Sequence, residues 1–410
     1  GSDLYAKDYL VGSNRDVSLP FTYPPFAALL FVPLSWIPLT AASILISIAS
    51  FAALWGCVAL VLRALRCPGW AGWALLAAML TEPITETFSF GQVNILLTAL
   101  VVVDILWLSP SRGRGVLTGI AMAIKLTPAV FLAVFFVRRE WRAFFSALGA
   151  FLAAGLLAFA CNPHSSIQYW SDTLRDSNRI GGLAYSSNQS LRGFFSRLAP
   201  EHAEKLWLVA VLLVIALVWF TMERLSQENQ AVLMLLAASV SLLCSPVSWS
   251  HHWVWLALIL PVAWWRCATV LKWPVFLTAV VAVFTVTVIG VPPKWWFGDA
   301  IAVHELPLWA KILVSDYVWL GIALLAAWAA ALRGVPELGE RVDAGAEPPH
   351  QRGGGDAESG ENPGRGERAA RPVEVQRRGV AMANGFLAGR LGVDDLERQG
   401  DLDELLARGV

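Results

Sequence analysis

Nine apolar stretches, at about residues 40–62, 70–88, 91–108, 141–161, 204–222, 229–244, 252–266, 271–290 and 308–332, approach or reach the ~17 to 25 residues a helix needs to cross a bilayer. In hydrocarbon every backbone N–H and C=O must be paired within the chain, which holds such a sequence to a bundle of helices. The expected fold is therefore all-α, a polytopic membrane protein of about nine or ten transmembrane helices. Composition agrees, with 56% hydrophobic residues, 20 tryptophans and a mean hydropathy of +0.57.

The formal charge of zero hides two different regions. Fifteen of the 31 acidic and ten of the 31 basic residues follow Arg333, so the remaining body is charge-poor and net basic. Residues 334–410 are rich in Gly, Pro, Glu and Arg and read as a disordered cytoplasmic tail, with a weakly amphipathic stretch near 386–408. The five cysteines form no CxxC pair and read as packing thiols. No metal, cofactor or nucleic-acid partner is expected.

Arginine placement sets the topology. Arg112 and Arg114 precede the segment 116–137, while Arg138, Arg139 and Arg142 follow it, and short Arg-rich loops belong in the cytoplasm. A single crossing would separate those clusters. With Lys125 and Pro128 at its centre, the segment reads as a re-entrant pair of half-helices. Residues 1–25, the Phe88–Gly91 turn, the loop 162–203, the stretch 245–252 and the loop 291–307 then share the outer side. The transmembrane domain runs from 26 to 333.

That side carries the polar motifs. Ser245-Pro-Val-Ser-Trp-Ser-His251-His252-Trp253 is a two-histidine knot between apolar runs, and titratable groups at such depth usually mark a working site. Adjacent helical histidines diverge by about 100°, which favours contact with a phosphate or sugar over shared metal ligation; an interfacial histidine pair in an aromatic belt is the plainer alternative. Lys125 precedes a helix start, where a cation and free backbone donors can meet a phosphate. It could instead snorkel to headgroups or pair with Glu82 or Asp104. Gln92 and Asn94 either project amides into an outer cavity or cap a helix. Trp170, Asn188, Gln189 and Arg192, in the long outer loop, offer stacking, amide and guanidinium contacts to a phosphorylated sugar.

Taken in order, Gly1-Ser-Asp-Leu-Tyr5, Phe21-Thr-Tyr-Pro-Pro-Phe26, Gly91-Gln-Val-Asn94, Ala123-Ile-Lys-Leu-Thr-Pro128, Asn188-Gln-Ser-Leu191 and Ser245-Pro-Val-Ser-Trp-Ser-His-His252 resemble the actinobacterial α-mannosyltransferases that use polyprenyl-phosphate mannose, the GT-C type glycosyltransferases of family eighty-seven. The resemblance implies a plasma-membrane enzyme with its active site on the outer face. It would move mannose, with inversion, from the lipid phosphate to a glycolipid or lipoglycan acceptor of the phosphatidylinositol mannoside and lipomannan type. Lys125, His251, His252 and Arg192 would contact the donor phosphate; Tyr23, Gln92, Asn94, Trp170, Asn188 and Gln189 would contact sugar or acceptor. The family's catalytic aspartate precedes the element matched by residues 1–5, so the base is expected upstream of Gly1, with Asp3 the nearest substitute. The alternatives are an arabinofuranosyltransferase of the same architecture and a transporter or flippase for a lipid-linked sugar.

Overall fold

Prolines and glycines decide where the apolar runs break in the computed structural model, which describes residues 4–331 apart from 6–7, 12–16, 110–112, 227–228, 270–274 and 299–302. Asp3 and the tail 334–410, with its stretch near 386–408, lie outside the described residues. A short antiparallel hairpin, β1 (Asp8–Val11) against β2 (Val17–Pro20), precedes the helices and departs from a purely helical reading. Pro24 and Pro25 then open α1 (Pro25–Phe31), since a fixed φ and a missing N–H cost nothing at a helix start.

Among the described residues, three helices are long and apolar enough to cross a membrane alone: α2 (Leu39–Ala64), α8 (Trp141–Cys161) and α11 (Ala203–Arg224). Their outward faces carry Leu152, Leu156, Leu212 and Leu213, each more than half exposed, as lipid requires. The chain is a helical protein embedded in the membrane. Cys161, at the end of α8, lies on the surface and not in the core.

The other runs are shorter and broken. The stretch expected as one span at 70–88 divides into α3 (Ala71–Met79) and α4 (Glu82–Ser89), because Pro83 restarts the helix. Gly91, at φ +62°, then lets the chain bend by 117° into α5 (Asn94–Leu106). The segment 116–137 is likewise interrupted: α6 (Val116–Ile124) stops at Lys125, whose φ of −151° and ψ of 133° are extended, and a 3₁₀ turn over Thr127–Phe131 leads into α7 (Leu132–Val137).

The long loop 162–203 contains two capped helices. Asn162 caps α9 (Pro163–Ser171), and Ser190 caps α10 (Leu191–Leu198) by accepting from the Gly193 N–H at 3.0 Å. The C-terminal part comprises α12 (Gln230–Cys244), α13 (Leu256–Thr269), α14 (Val275–Ile289), α15 (Leu308–Leu313) and α16 (Asp316–Ala331). Apolar nearly all round, α12 buries Leu233 and Met234 completely and forms the core with α5 and α13.

Two features fix the helix that ends at Lys125. Gly115 and Gly119 let α6 lie directly on the backbone of α8; a methyl group on Gly119 would come within 2.2 Å of the Ala147 carbonyl oxygen. At the start of α6, the buried Asp104 accepts from the N–H groups of Gly115 and Thr118 at 2.8 and 2.9 Å, and from the Thr118 hydroxyl at 2.6 Å. A negative side chain is at home on that positive helix end.

Candidate active site

Where α5, the break after α6 and the histidine knot meet, three polar side chains converge. Asn94 bridges them: its Oδ1 accepts from Lys125 Nζ at 3.0 Å, and its Nδ2 donates to the His251 carbonyl at 3.1 Å. Using both ends of the amide fixes its orientation. Asn94 therefore does more than begin a helix, and α5 has no side-chain cap. Lys125 Nζ also lies 3.1 Å from His252 Nε2. An ammonium group only donates, so that nitrogen accepts and the His252 ring is neutral. The ring's hydrogen bond to the Val247 backbone fits that tautomer.

The two acids that could have neutralised Lys125 are committed elsewhere. Asp104 caps α6, and Glu82 binds Lys294 Nζ at 2.6 Å, the Trp295 indole at 2.5 Å and the Tyr317 hydroxyl. Among the described residues no carboxylate forms an ion pair with Lys125. Its remaining neighbour is the Tyr23 ring, 5.6 Å from Nζ, whose hydroxyl donates to Gln92 Oε1 at 3.0 Å. The charge on Lys125 is thus held by neutral groups and is open to an anion.

Lys125 and His252 line a cavity of about 40 Å³ with two characters. Its lining includes the polar Asn94, Thr98, Ser245 and Ser248 and the apolar Leu97, Phe131, Leu242 and Trp255. The hydroxyls of Thr98 and Ser248 are buried and lack a partner, although the residues are only 5% and 1% exposed. Buried hydroxyls are ordinarily satisfied, so two orphans in one cavity mark donors available to a ligand. Sequence reasoning missed both, because single hydroxyls in apolar runs usually bond their own helix.

His251 meets the Phe90 ring edge-on at 5.4 Å and the His252 ring at 4.7 Å. Burial, with the Lys125 charge as a second cause, pulls the His251 imidazole down to about 3. Its Nδ1 is buried without a partner.

The predicted site residues of the loop 162–203 make the following contacts. Asn188 and Gln189 are fully buried, and their amides are spent on the fold. Asn188 Nδ2 donates to the carbonyls of Leu183 and Pro246, and its Oδ1 accepts from the Ser248 N–H. Gln189 Nε2 donates to the Ser186 and Val314 carbonyls, and its Oε1 accepts from the Tyr317 N–H. Together they lace the loop onto the knot, where Asn188 also bridges Trp249. Below them, Arg197 is fully buried and donates to the carbonyls of Tyr185 and Asn188, both at 3.0 Å. Arg192 faces α11, over the Trp207 ring at 5.1 Å and 3.5 Å from Glu204. Trp170 is 41% exposed and belongs to a chain of aromatic contacts running from Tyr23 through Phe21, Tyr5 and Tyr169.

The cavity is thus lined by a lysine without an acid partner among the described residues, by polar groups and by apolar side chains. A model of glycosyltransferase family 87 matches residues 21–246, more than half of the chain. The polyprenol-phosphate-mannose-dependent α-(1-2)-phosphatidylinositol mannoside mannosyltransferase of Mycobacterium tuberculosis is 33% identical over 350 residues, covering 79% of this chain and 80% of the relative. Its counterpart in Mycolicibacterium smegmatis is 34% identical over 355 residues, with 79% of each covered. A polyprenol-phosphate-mannose-dependent α-(1-2)-phosphatidylinositol pentamannoside mannosyltransferase of M. tuberculosis is 34% identical over 319 residues, covering 72% of this chain and 71% of the relative. No solved structure matches. Both comparisons lead to one assignment: this chain belongs to glycosyltransferase family 87.

Proposed function

We propose that this glycosyltransferase moves mannose from a polyprenyl-phosphate donor to a phosphatidylinositol mannoside acceptor on the outer face of the plasma membrane. The observation that carries the reading is Lys125, a cation held by an amide, an imidazole and an aromatic ring, with no acid paired to it among the described residues, lining a cavity that apolar residues line too. A lipid phosphate has that same duality of charge and apolar chain.

In the reaction the acceptor oxygen bonds to the anomeric carbon from the face opposite the phosphate. The bond from that carbon to the phosphate oxygen breaks, its electron pair stays on the polyprenyl phosphate, and the sugar inverts. The acceptor's proton passes to a base, which we place outside the Lys125 cavity because Glu82 and Asp104 are fully engaged. Charge growing on the departing phosphate is met by the Lys125 ammonium and by the hydroxyls of Thr98 and Ser248, donors already in place before the reaction. Tyr23 and Gln92, beside Lys125, are placed to orient the sugar.

The test is transfer of labelled mannose by membranes containing the full-length protein. Product from polyprenyl-phosphate mannose supports the reading; product from a nucleotide sugar, with none from the lipid donor, overturns it.

A further inference from the structure

The histidine knot has a rear face as well as one toward the cavity, and an acid grips it there. Glu86 Oε2 accepts from the Ser250 hydroxyl at 2.6 Å. Ser250 is completely buried; its Oγ lies 2.8 Å from Ser187 Oγ, and its N–H donates to Ser187 Oγ at 3.2 Å. With Ser250 donating to Glu86, Ser187 must donate to Ser250, so every proton in the chain has a definite place. The next residue of α4, Thr87, donates to the His251 carbonyl at 3.1 Å, the carbonyl that Asn94 also holds. One turn of 3₁₀ helix, closed by the His252 N–H on the Trp249 carbonyl at 2.8 Å, joins Ser250 to His252. A shift of the Ser250 backbone is passed through this turn to His252.

We infer that Glu86 is a positioning residue for glycosyl transfer: through Ser250 it fixes the backbone that sets His252 against Lys125. The inference rests on the reading of the Lys125 cavity as the donor-phosphate site. Glu86 does not line that cavity, and its carboxylate reaches the knot from behind. The hydrogen bond is the working feature, because the buried Ser250 hydroxyl needs an acceptor at that point. Losing it frees the knot to move by a fraction of the 3.1 Å contact between Lys125 and His252. Misplacements near 1 Å in a reacting assembly can cost about 100-fold in rate.

Full-length wild type, Glu86→Ala, Glu86→Gln, Ser250→Ala and the double variant Glu86→Ala/Ser250→Ala are to be compared in one mannosyl-transfer assay, with kcat and KM for the lipid donor. Glu86→Ala and Ser250→Ala are each expected to lower kcat by roughly 10- to 100-fold. The double variant should be no worse than either alone, and Glu86→Gln, which keeps an acceptor oxygen, should restore most of the rate. A Glu86→Gln variant as impaired as Glu86→Ala would overturn the inference, since charge and not positioning would then be required. Additive losses in the double variant, or a wild-type rate for Ser250→Ala, would overturn it too, and the latter decides the matter even where Glu86→Ala does not fold. Lys125→Met, run beside them, tests the cavity on its own: a wild-type rate there removes the donor site whatever the Glu86 series shows.

Discussion

Lys125 Nζ and His252 Nε2 lie 3.1 Å apart although 127 residues separate them in the chain, and the contact holds only while the histidine is neutral. Both come from breaks in apolar runs: Lys125 from the extended residue after α6, His252 from the 3₁₀ turn before α13. The site is thus made where helices are interrupted, and the unbroken helices α2, α8 and α11 supply its lipid-facing surround.

Asn94 keeps Lys125 in place without neutralising it. Replacing it by aspartate sets a carboxylate about 3 Å from Nζ and removes the donor to the His251 carbonyl. Hydrogen bonds to charged groups are worth about 1.5 to 3 kcal/mol, or roughly 10- to 100-fold in an equilibrium. Asn94→Asp should raise KM for the lipid donor by about that factor. Steady-state kinetics in membranes check this, and an unchanged KM contradicts it.

Asn188 and Gln189 should behave differently. Their amides tie together backbone groups of the loop, the knot and the start of α16. Asn188→Ala and Gln189→Ala leave several of those groups unpaired, at about 1 to 3 kcal/mol for each buried group. Both are expected to lower the thermal midpoint while leaving donor KM near wild type in the protein that folds. Thermal unfolding set beside kinetics separates the two effects.

These residues show what could be read in the sequence and what could not. A lysine, an asparagine and a histidine pair inside apolar runs stood out because polar groups there are costly, and the structure brings Lys125, Asn94 and His252 together. Asn188 and Gln189 carried the same signal, but the cost of burying them is met by backbone partners that the sequence does not reveal. Arg192 was visible as a charge; its pairing with Glu204 depends on the angle between α10 and α11. Helical class and most apolar runs were legible from length and hydropathy. The break at Pro83, the 117° bend at Gly91 and the Gly119 seam depend on backbone approach, which hydropathy does not record.

The seam gives a prediction of its own. A methyl group on Gly119 meets the Ala147 carbonyl oxygen at 2.2 Å, whereas one on Gly149, in α8, meets nothing within 4 Å. Gly119→Ala is expected to destabilise by about 1 to 3 kcal/mol, as overpacking does. Gly149→Ala should be neutral or better. Equal thermal midpoints for the two variants would contradict the close crossing.

Acid should weaken the fold through His251. In the unfolded chain this ring titrates near its ordinary 6.5, while in the fold its pKa is lowered to about 3. Its neutral form therefore contributes fully above pH 6.5, and that contribution is lost as the pH falls below it, by up to about 1.4 kcal/mol per unit. The thermal midpoint in lipid nanodiscs should drop from pH 7.5 to pH 5, and His251→Gln should flatten the drop. Identical slopes would show that His251 is not the group responsible.

The most direct test of the Lys125 cavity is the affinity of sugar-free polyprenyl phosphate for purified full-length protein in nanodiscs, measured for wild type and Lys125→Met. Loss of a charged hydrogen-bond donor predicts binding weaker by roughly tenfold or more, with the thermal midpoint retained. Equal affinities in the two proteins would place the donor phosphate somewhere other than Lys125.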